Sequence, residues 1–547
     1  MRTVLALVAA GGAAGDRVEV PVVDASPAPL LPGASRGPAP PGVSSWIVPT
    51  AVQQGGAFGQ RFSSSLEIRN MGTAPADVGV WAADAGTDGD AAAVRTTVAL
   101  PASGSVLLDE VLPVLFGQQN GAAHLELRSS ATLAVRSVVT GRSAAGARFS
   151  AEIPVVAAGE GTGARRPPLV LPGLKVTQGV RCNVILAETA GSAARVGLRL
   201  FDTAGKPLGR GEASVPAWGN TQVAMPAAVG ISGVVPEAST LRVEPLDGEG
   251  RVAALATLID NVSASFSVVT GRPAPQDGSD GAGPQAVASI VQAAGVGSYF
   301  TTELSIATAA PNAAPLTLTY DYSGTDAEGL PTRGRVAKDV TLERDGALPS
   351  WYGLNVVRSL FDLGPRTSTS GTLRIEGDGA GRVQARAAVS TPLDVADPAK
   401  GTMTAELPAT GPRSPEAVGW GAPGAVLLPG LRSSSRERVN LVVSEVAGAP
   451  ARVSLALLAD GDVPRGTLDL LLGPFEKLQL NDLWNGPSGF GLGPLPVDRL
   501  ALVASGPGEG AGRAVLAVTT VDNATNGTRI QLLAPPGPAP LGGPSGR

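Results

Sequence analysis

Apolar and polar residues alternate with a period of two over much of the chain. Leu316-Thr317-Leu318-Thr319-Tyr320-Asp321-Tyr322 holds the alternation for seven residues, and Val196, Leu198 and Leu200 repeat it, as do Val453, Leu455 and Leu457. Such runs bury one strand face and wet the other, as strands of an antiparallel sheet do. Turn chemistry separates them: Thr87-Asp88-Gly89-Asp90, Asp247-Gly248-Glu249-Gly250 and Gly377-Asp378-Gly379-Ala380-Gly381, because Gly and Asp reach the backbone angles that tight turns need. Several short strands per hundred residues with regular turns predict β-sandwiches. Helical spacing is confined to residues 109–116 and 355–361, which read as two short crossovers.

The pattern also repeats. Leu171-Pro172-Gly173-Leu174 returns as Leu428-Pro429-Gly430-Leu431, 257 positions later. The offset holds through Asn183/Asn440, Glu188/Glu445, Ala190-Gly191/Ala447-Gly448 and Ala194-Arg195-Val196/Ala451-Arg452-Val453. Residues 257–261 (TLIDN) match 519–523 (TTVDN) at an offset of 262, so five residues entered a loop between. Two further stretches share a looser plan: 62–70 with 300–307, 111–116 with 356–361, and 124–128 (HLELR) with 372–376 (TLRIE). Self-similarity at a fixed period marks a repeat architecture. The reading is all-β, with four tandem β-sandwich domains in A-B-A-B order: A1 at 44–158, B1 at 168–272, A2 at 285–410 and B2 at 424–538. Residues 24–43 read as a Pro/Gly linker, as do 159–168, 273–284 and 411–423, and 539–547 as a tail.

Residues 1–23 admit two readings. An apolar stretch at 3–14 with small residues after it fits a secretory signal. Alternatively, 4–7 resembles 515–518 and 14–23 resembles 145–156, so the segment is the closing hairpin of a further repeat. Both readings imply export.

Composition narrows the chemistry. With 43% hydrophobic residues the chain is not disordered by composition, and with 4% aromatics its cores must be built from Val, Leu, Ile and Ala. A net charge of −5 without a basic cluster speaks against nucleic acid, and no run of 18 apolar residues is present to span a membrane. One Cys (Cys182) and one His (His124) exclude an intrachain disulfide framework and the usual Cys/His zinc sites. A Cys182–His124 nucleophile pair is conceivable, but the two read better as unrelated sandwich residues.

Other motifs yield to blander readings. Gly33-Ala34-Ser35-Arg36-Gly37 fits a hydrolase nucleophile elbow but lies among prolines, without the strand and helix an elbow needs. The glycine-rich stretches 159–163 and 506–512 lack the following helix that would meet a phosphate. Asp84, Asp88 and Asp90 could gather around Ca²⁺, yet Asp-Gly is ordinary turn chemistry. Trp46, Trp81, Trp218, Trp351, Trp420 and Trp484 are spread without clustering, and Trp351 and Trp484, beside crossover segments, read as core plugs. Asn183 and Asn440 read as strand-edge or turn-capping groups, and Asp260-Asn261 and Asp522-Asn523 as turn setters. The acceptor sequons at Asn261, Asn523 and Asn526 matter only in a eukaryotic host.

The segments 46–51 (WIVPTA), 62–80, 98–117, 133–141 and 181–209, with the TLIDN and TVDN endings, are similar to the tandem immunoglobulin-like sandwich repeats of secreted, GC-rich, acidobacterial-type bacterial proteins. The likeness covers residues 44–538 and implies four immunoglobulin-like domains. It carries no catalytic signature, so no catalytic, cofactor-binding or metal residue is assigned and no enzyme is expected. The expected function is a non-catalytic secreted or cell-surface spacer or stalk, with adhesion as a further role, facing an unidentified protein or glycan partner. A ligand- or glycan-binding module, or an accessory region of a larger secreted hydrolase, is the alternative.

Overall fold

A computed structural model describes residues 36–536, apart from 38, 145, 275–283, 296–297, 354, 365–366, 395–396, 398–401, 413, 415, 420–424, 433–436, 493–499, 507–510 and 524–527. The period-two runs are strands, and the architecture is almost entirely β.

The first unit holds β1 (Ser44–Gly55), β2 (Arg61–Asn70), β3 (Ala76–Asp84), β4 (Val94–Leu100), β5 (Ser105–Leu108), β6 (Gly121–Ser129), β7 (Leu133–Arg142), β8 (Arg148–Ile153) and β9 (Val156–Ala157). Its strands run β4-β3-β6-β1 on one side and β5-β2-β7-β8 on the other. The end of β1 leaves β6 to pair with β2, Gln53 opposite Ser63, which links the two sides. The second unit holds β10 (Leu169–Val176), β11 (Val180–Glu188), β12 (Ala194–Phe201), β13 (Pro207–Val215), β14 (Asn220–Met225), β15 (Val235–Asp247), β16 (Val252–Asp260), β17 (Phe266–Thr270) and β18 (Arg272–Pro273). Its sheets, β13-β12-β15-β10 and β14-β11-β16-β17, repeat the same order.

The third unit holds β19 (Gln285–Gly295), β20 (Ser298–Thr308), β21 (Ala314–Thr325), β22 (Pro331–Leu342), β23 (Ser368–Glu376), β24 (Val383–Pro392) and β25 (Thr402–Pro408), ordered β22-β21-β23-β19-β20-β24-β25. At the place of β5 it has a single bridge, Ala307 to Ala347. The fourth holds β26 (Ala417–Gly419), β27 (Val426–Leu431), β28 (Glu437–Glu445), β29 (Ala451–Leu458), β30 (Pro464–Leu472), β31 (Lys477–Leu480), β32 (Leu500–Ser505), β33 (Arg513–Asp522) and β34 (Thr528–Leu532). Its orders are β30-β29-β32-β27 and β31-β28-β33-β34. One strand order therefore recurs four times, although the residues matched clearly only in pairs. An immunoglobulin domain sets its first strand beside its second, whereas here the first lies beside the sixth and the seventh beside the second. The likeness to that family extends to sandwich architecture and stops at strand order.

Each unit has its own aliphatic core. Leu66, Ile68, Val80, Leu125 and Leu127 centre the first, and Leu171, Val184, Leu186 and Leu198 the second. Ile290, Leu318, Tyr320 and Leu373 centre the third, and Leu428, Leu441, Leu455 and Leu516 the fourth. Full burial of such side chains is worth about 1.5–3 kcal/mol each. The two expected crossovers are helical, at Val111–Phe116 and Val356–Ser359, and the first buries Val111, Leu112 and Leu115. Trp484 fills the fourth core at 1% exposure, but Trp351 is 65% exposed and plugs nothing. Strand pairing also reaches into segments read as linkers: Thr162 bridges Val252, and β26 pairs with β33.

Every first strand carries a bulge, between Val48 and Ala51, Leu171 and Leu174, Val287 and Ile290, and Leu428 and Leu431. A bulge leaves backbone groups unpaired in the ladder. The last strands of the four units pack in a cycle, β8 on β17, β17 on β25, β25 on β34 and β34 on β8. The units thus close into a ring.

Candidate functional sites: four seams and a polar cleft

The ring has four seams, and each covers one bulge. At the first–second seam Asn220 Nδ2 donates to Pro49 O at 2.7 Å, and at the third–fourth Ser444 Oγ donates to Ala288 O at 2.6 Å. At the second–third seam Arg386 donates to Pro172 O at 2.9 Å and Gly173 O at 2.8 Å. At the fourth–first seam Arg136 donates to Pro429 O at 2.9 Å. The Leu-Pro-Gly-Leu motif is therefore a docking element as well as a marker of repetition. Gly173 and Gly430 both sit at φ +75°, and a Cβ at Gly430 would fall 1.4 Å from Glu67 Oε2. Glycine serves both conformation and close approach here.

The first–second and third–fourth seams are apolar at heart. Ile185, Leu255, Ile259, Phe266 and Val268 of the second unit join the core of the first, and Val442 and Ala517 of the fourth join that of the third. Around the first–second seam, Glu126 holds both Arg36 (2.5 Å) and Arg128 (2.7 Å). The Arg128 guanidinium lies 5.0 Å from the Trp81 ring and 5.6 Å from the Trp218 ring, a cation–π arrangement. At the third–fourth seam the polarity of the strand pair is reversed: Arg374 bonds Glu376 at 2.8 Å and lies 4.0 Å from the Phe475 ring. Lys477 donates to Ser289 Oγ at 2.7 Å and to Ser370 Oγ. Its burial lowers the ammonium pKa to about 7.

Beside each apolar seam lies a fully buried glutamate. Glu188 accepts from the backbone N–H groups of Ala190, Gly191, Trp218 and Arg251 at 2.7–3.1 Å. Glu445 accepts from Ala447, Gly448, Phe475 and Arg513 at 2.7–3.0 Å. Charge-assisted bonds of this kind knit three chain segments to one carboxylate. Asn70 and Thr308 end the equivalent strands of the other two units and cap the same turn, accepting from Gly72 N and Ala310 N.

The residues singled out in the sequence are placed as follows. His124 Nε2 meets Glu188 O across the seam at 3.0 Å. Burial, with Arg36 nearby, drops its pKa to about 3, so it is neutral at pH 7. Cys182 belongs to the second core, where burial pushes the thiol up to about 12. The two lie in different surroundings, His124 at the first–second seam and Cys182 in the second core. Gly33, Ala34 and Ser35 lie outside the described residues, whereas Arg36, read as linker, is buried in the first–second seam. Gly159 donates to Thr189 O, and the 506–512 stretch lies largely outside the described residues. Asp88 caps a helix turn, Asp84 accepts from Gln118 Nε2 at 2.9 Å and Asp90 from Arg36 N at 2.5 Å, so all three serve turns and contacts. Asn440 accepts from Asp482 N at 2.9 Å, as a capping group would, and Asp260 accepts from Val262 N and Ser263 N. The clustering of Trp81 with Trp218 was not visible in a sequence where they stand far apart. Trp420 lies outside the described residues.

One open cleft of about 350 Å³ lies at the end of the first unit, where β1, β2 and β7 meet. It is lined by Gln53, Gln54, Arg61, Glu110, Asn120 and Arg142, with Phe62 at its side. No protein-family model and no curated protein matches the chain. Among the described residues, no helix is long and apolar enough to cross a membrane.

Proposed function

We propose that the protein is a non-catalytic, exported or cell-surface repeat protein: four tandem sandwiches in A-B-A-B order, acting as a structural scaffold with an adhesive role. The observation that carries this reading is the covering of every first-strand bulge by the neighbouring unit. Arg136 and Arg386 spend their hydrogen bonds on the neighbouring unit, while Glu188 and Glu445 brace the second and fourth units from within, beside the seams. A spacer of this construction trades reach for rigidity, because units in a ring cannot extend as an open row does. The net charge of −5 and the aliphatic cores suit a protein working in solvent outside the cell.

Two measurements test it. Fractionation of the native cells should recover the protein from the surface or the medium, and recovery only from the cytoplasm would sink the exported reading. Small-angle scattering should give a radius of gyration of about 24 Å, the value for a compact chain of this length. A radius roughly twice that would mean an open row and would restore the extended stalk.

A further inference from the structure

We propose that the cleft at the end of the first unit binds an acidic carbohydrate, a uronic-acid segment whose carboxylate is taken by Arg61 and Arg142. The two arginines stand directly opposite each other on β2 and β7. Like charges facing across a ladder destabilise it, and neither side chain has an ion-pair or hydrogen-bond partner among the described residues. The fold gains nothing from them. Gln53 points the same way: its Oε1 is buried and unbonded, and such an atom asks for a donor.

The third unit shows what the fold requires at this place. Its equivalent of Gln53 is Gln292, whose amide nitrogen donates to Gly364 O and Thr367 O, both at 3.1 Å, and whose Oε1 is buried and unbonded as that of Gln53 is, so the arginines are what set the first unit apart. Tyr299 stands where Arg61 does, and Pro392 ends β24 where Arg142 ends β7. Asn355 replaces Glu110 ahead of the crossover helix, each at φ +53°. Ala293 replaces Gln54. In the third unit the strand pair thus carries Tyr299 and Pro392 in place of the two arginines, and the charge near Tyr299 is Arg358 of the crossover helix. The first unit instead lines its cleft with two guanidiniums, two glutamines and a carboxylate.

The mixture selects the ligand class. Paired guanidiniums match a carboxylate in a fork. Primary amides offer a donor and an acceptor side by side, as adjacent sugar hydroxyls do, and Glu110 can accept from a further hydroxyl. A volume of about 350 Å³ falls in the ligand-site range and suits a few sugar rings. An acidic peptide fits less well. Recognition of an extended peptide main chain favours an open strand edge, and β2 is already paired on both sides here, with β1 and with β7.

The test is calorimetric titration of the full chain with tetragalacturonate and tetramannuronate, alongside neutral galactotetraose and hexaglutamate. At least one uronate should bind with a Kd of about 0.1–1 mM, and the neutral sugar at least about tenfold more weakly. Arg61→Tyr, which installs the residue found in the third unit, and Arg142→Ala should each weaken uronate binding about tenfold or more without lowering the melting temperature. Gln53→Leu should weaken it by a smaller factor. Absence of binding by both uronates overturns the proposal. So does uronate binding that Arg61→Tyr leaves intact, which would put the sugar elsewhere. Hexaglutamate binding as tight as the uronates would overturn the carbohydrate class.

Discussion

The two kinds of seam use opposite chemistry to do one job. Where the second unit meets the first, and the fourth the third, aliphatic side chains of one unit enter the core of the other. Where the third meets the second, and the first meets the fourth, an arginine spans the gap to bulge carbonyls. Apolar burial is non-directional and tolerates drift, which is why the surroundings of the apolar seams differ so much, Trp218 with Glu126–Arg128 in one and Phe475 with Arg374–Glu376 in the other. The arginine seams depend on direction, and there the partner backbone is the same motif twice. Directional contacts preserve a motif; burial preserves only a surface.

The sharpest way to break the comparison is at the buried glutamates. Glu188→Ala strands four backbone donors and should destabilise the chain by about 3–5 kcal/mol in urea unfolding. Glu445→Ala should cost about the same. A clear inequality would mean that the second and fourth units, whose turns the two glutamates brace, are not equivalent.

Next come the arginines. Arg136→Ala and Arg386→Ala should each cost about 2–4 kcal/mol, since buried carboxylates and carbonyls lose their donor. Only Arg136→Ala should also raise the scattering radius, because the second and third units follow one another along the chain while the fourth and first are far apart in it. An equal rise in both variants would remove that distinction.

The pH response divides the apolar seams from each other. His124 has a folded pKa near 3, below its usual 6.5, so the folded state binds fewer protons between those values. Stability should fall as pH drops from about 6.5 to 3, and His124→Thr, the residue at this place in the third unit, should flatten that slope. Lys477 has a folded pKa near 7, below its usual 10.5. By the same sign, stability should rise from about pH 7 to 10.5, and Lys477→Asn, which copies Asn220, should abolish the rise. Unfolding curves across both windows would show the slopes, and their persistence in the variants would assign them elsewhere.

The smallest effect belongs to the outer faces. Arg195 and Arg452 occupy matching exposed positions with acidic partners on adjacent strands. Replacing either with Ala should change stability by less than about 0.5 kcal/mol. A larger loss in thermal unfolding would mean that these faces are covered in the native assembly.

How much of this could be read from residues alone depended on spacing. Strands were legible because Leu316 to Tyr322 and their like alternate strictly, and the pairing of second with fourth unit because residues 171–196 and 428–453 match without a gap. The common topology of all four was not, since Glu126-Leu127-Arg128 and Arg374-Ile375-Glu376 reverse their charges and Asn70, Glu188, Thr308 and Glu445 fill one slot with three residue types. Closure was hidden for another reason: Arg136 and Arg386 are single residues in otherwise ordinary strands, and their partners lie hundreds of positions away. Trp351 misled because nearness to a crossover in sequence does not fix which side of the helix turn a ring falls on. The cleft was hidden because no motif announces it. It emerges only when Gln53, Arg61, Glu110 and Arg142 are brought together and compared with their counterparts.

Alternation of the seams imposes a rule of parity. Each unit offers one apolar flank and one flank joined through arginine, and the sequence of flanks returns to its start only after an even number of units. Adding a single unit would set two mismatched flanks face to face, an aliphatic patch against a bulge that calls for an arginine. Growth by duplication is then viable two units at a time, and the 257-residue offset between Leu171 and Leu428 is the size of that step.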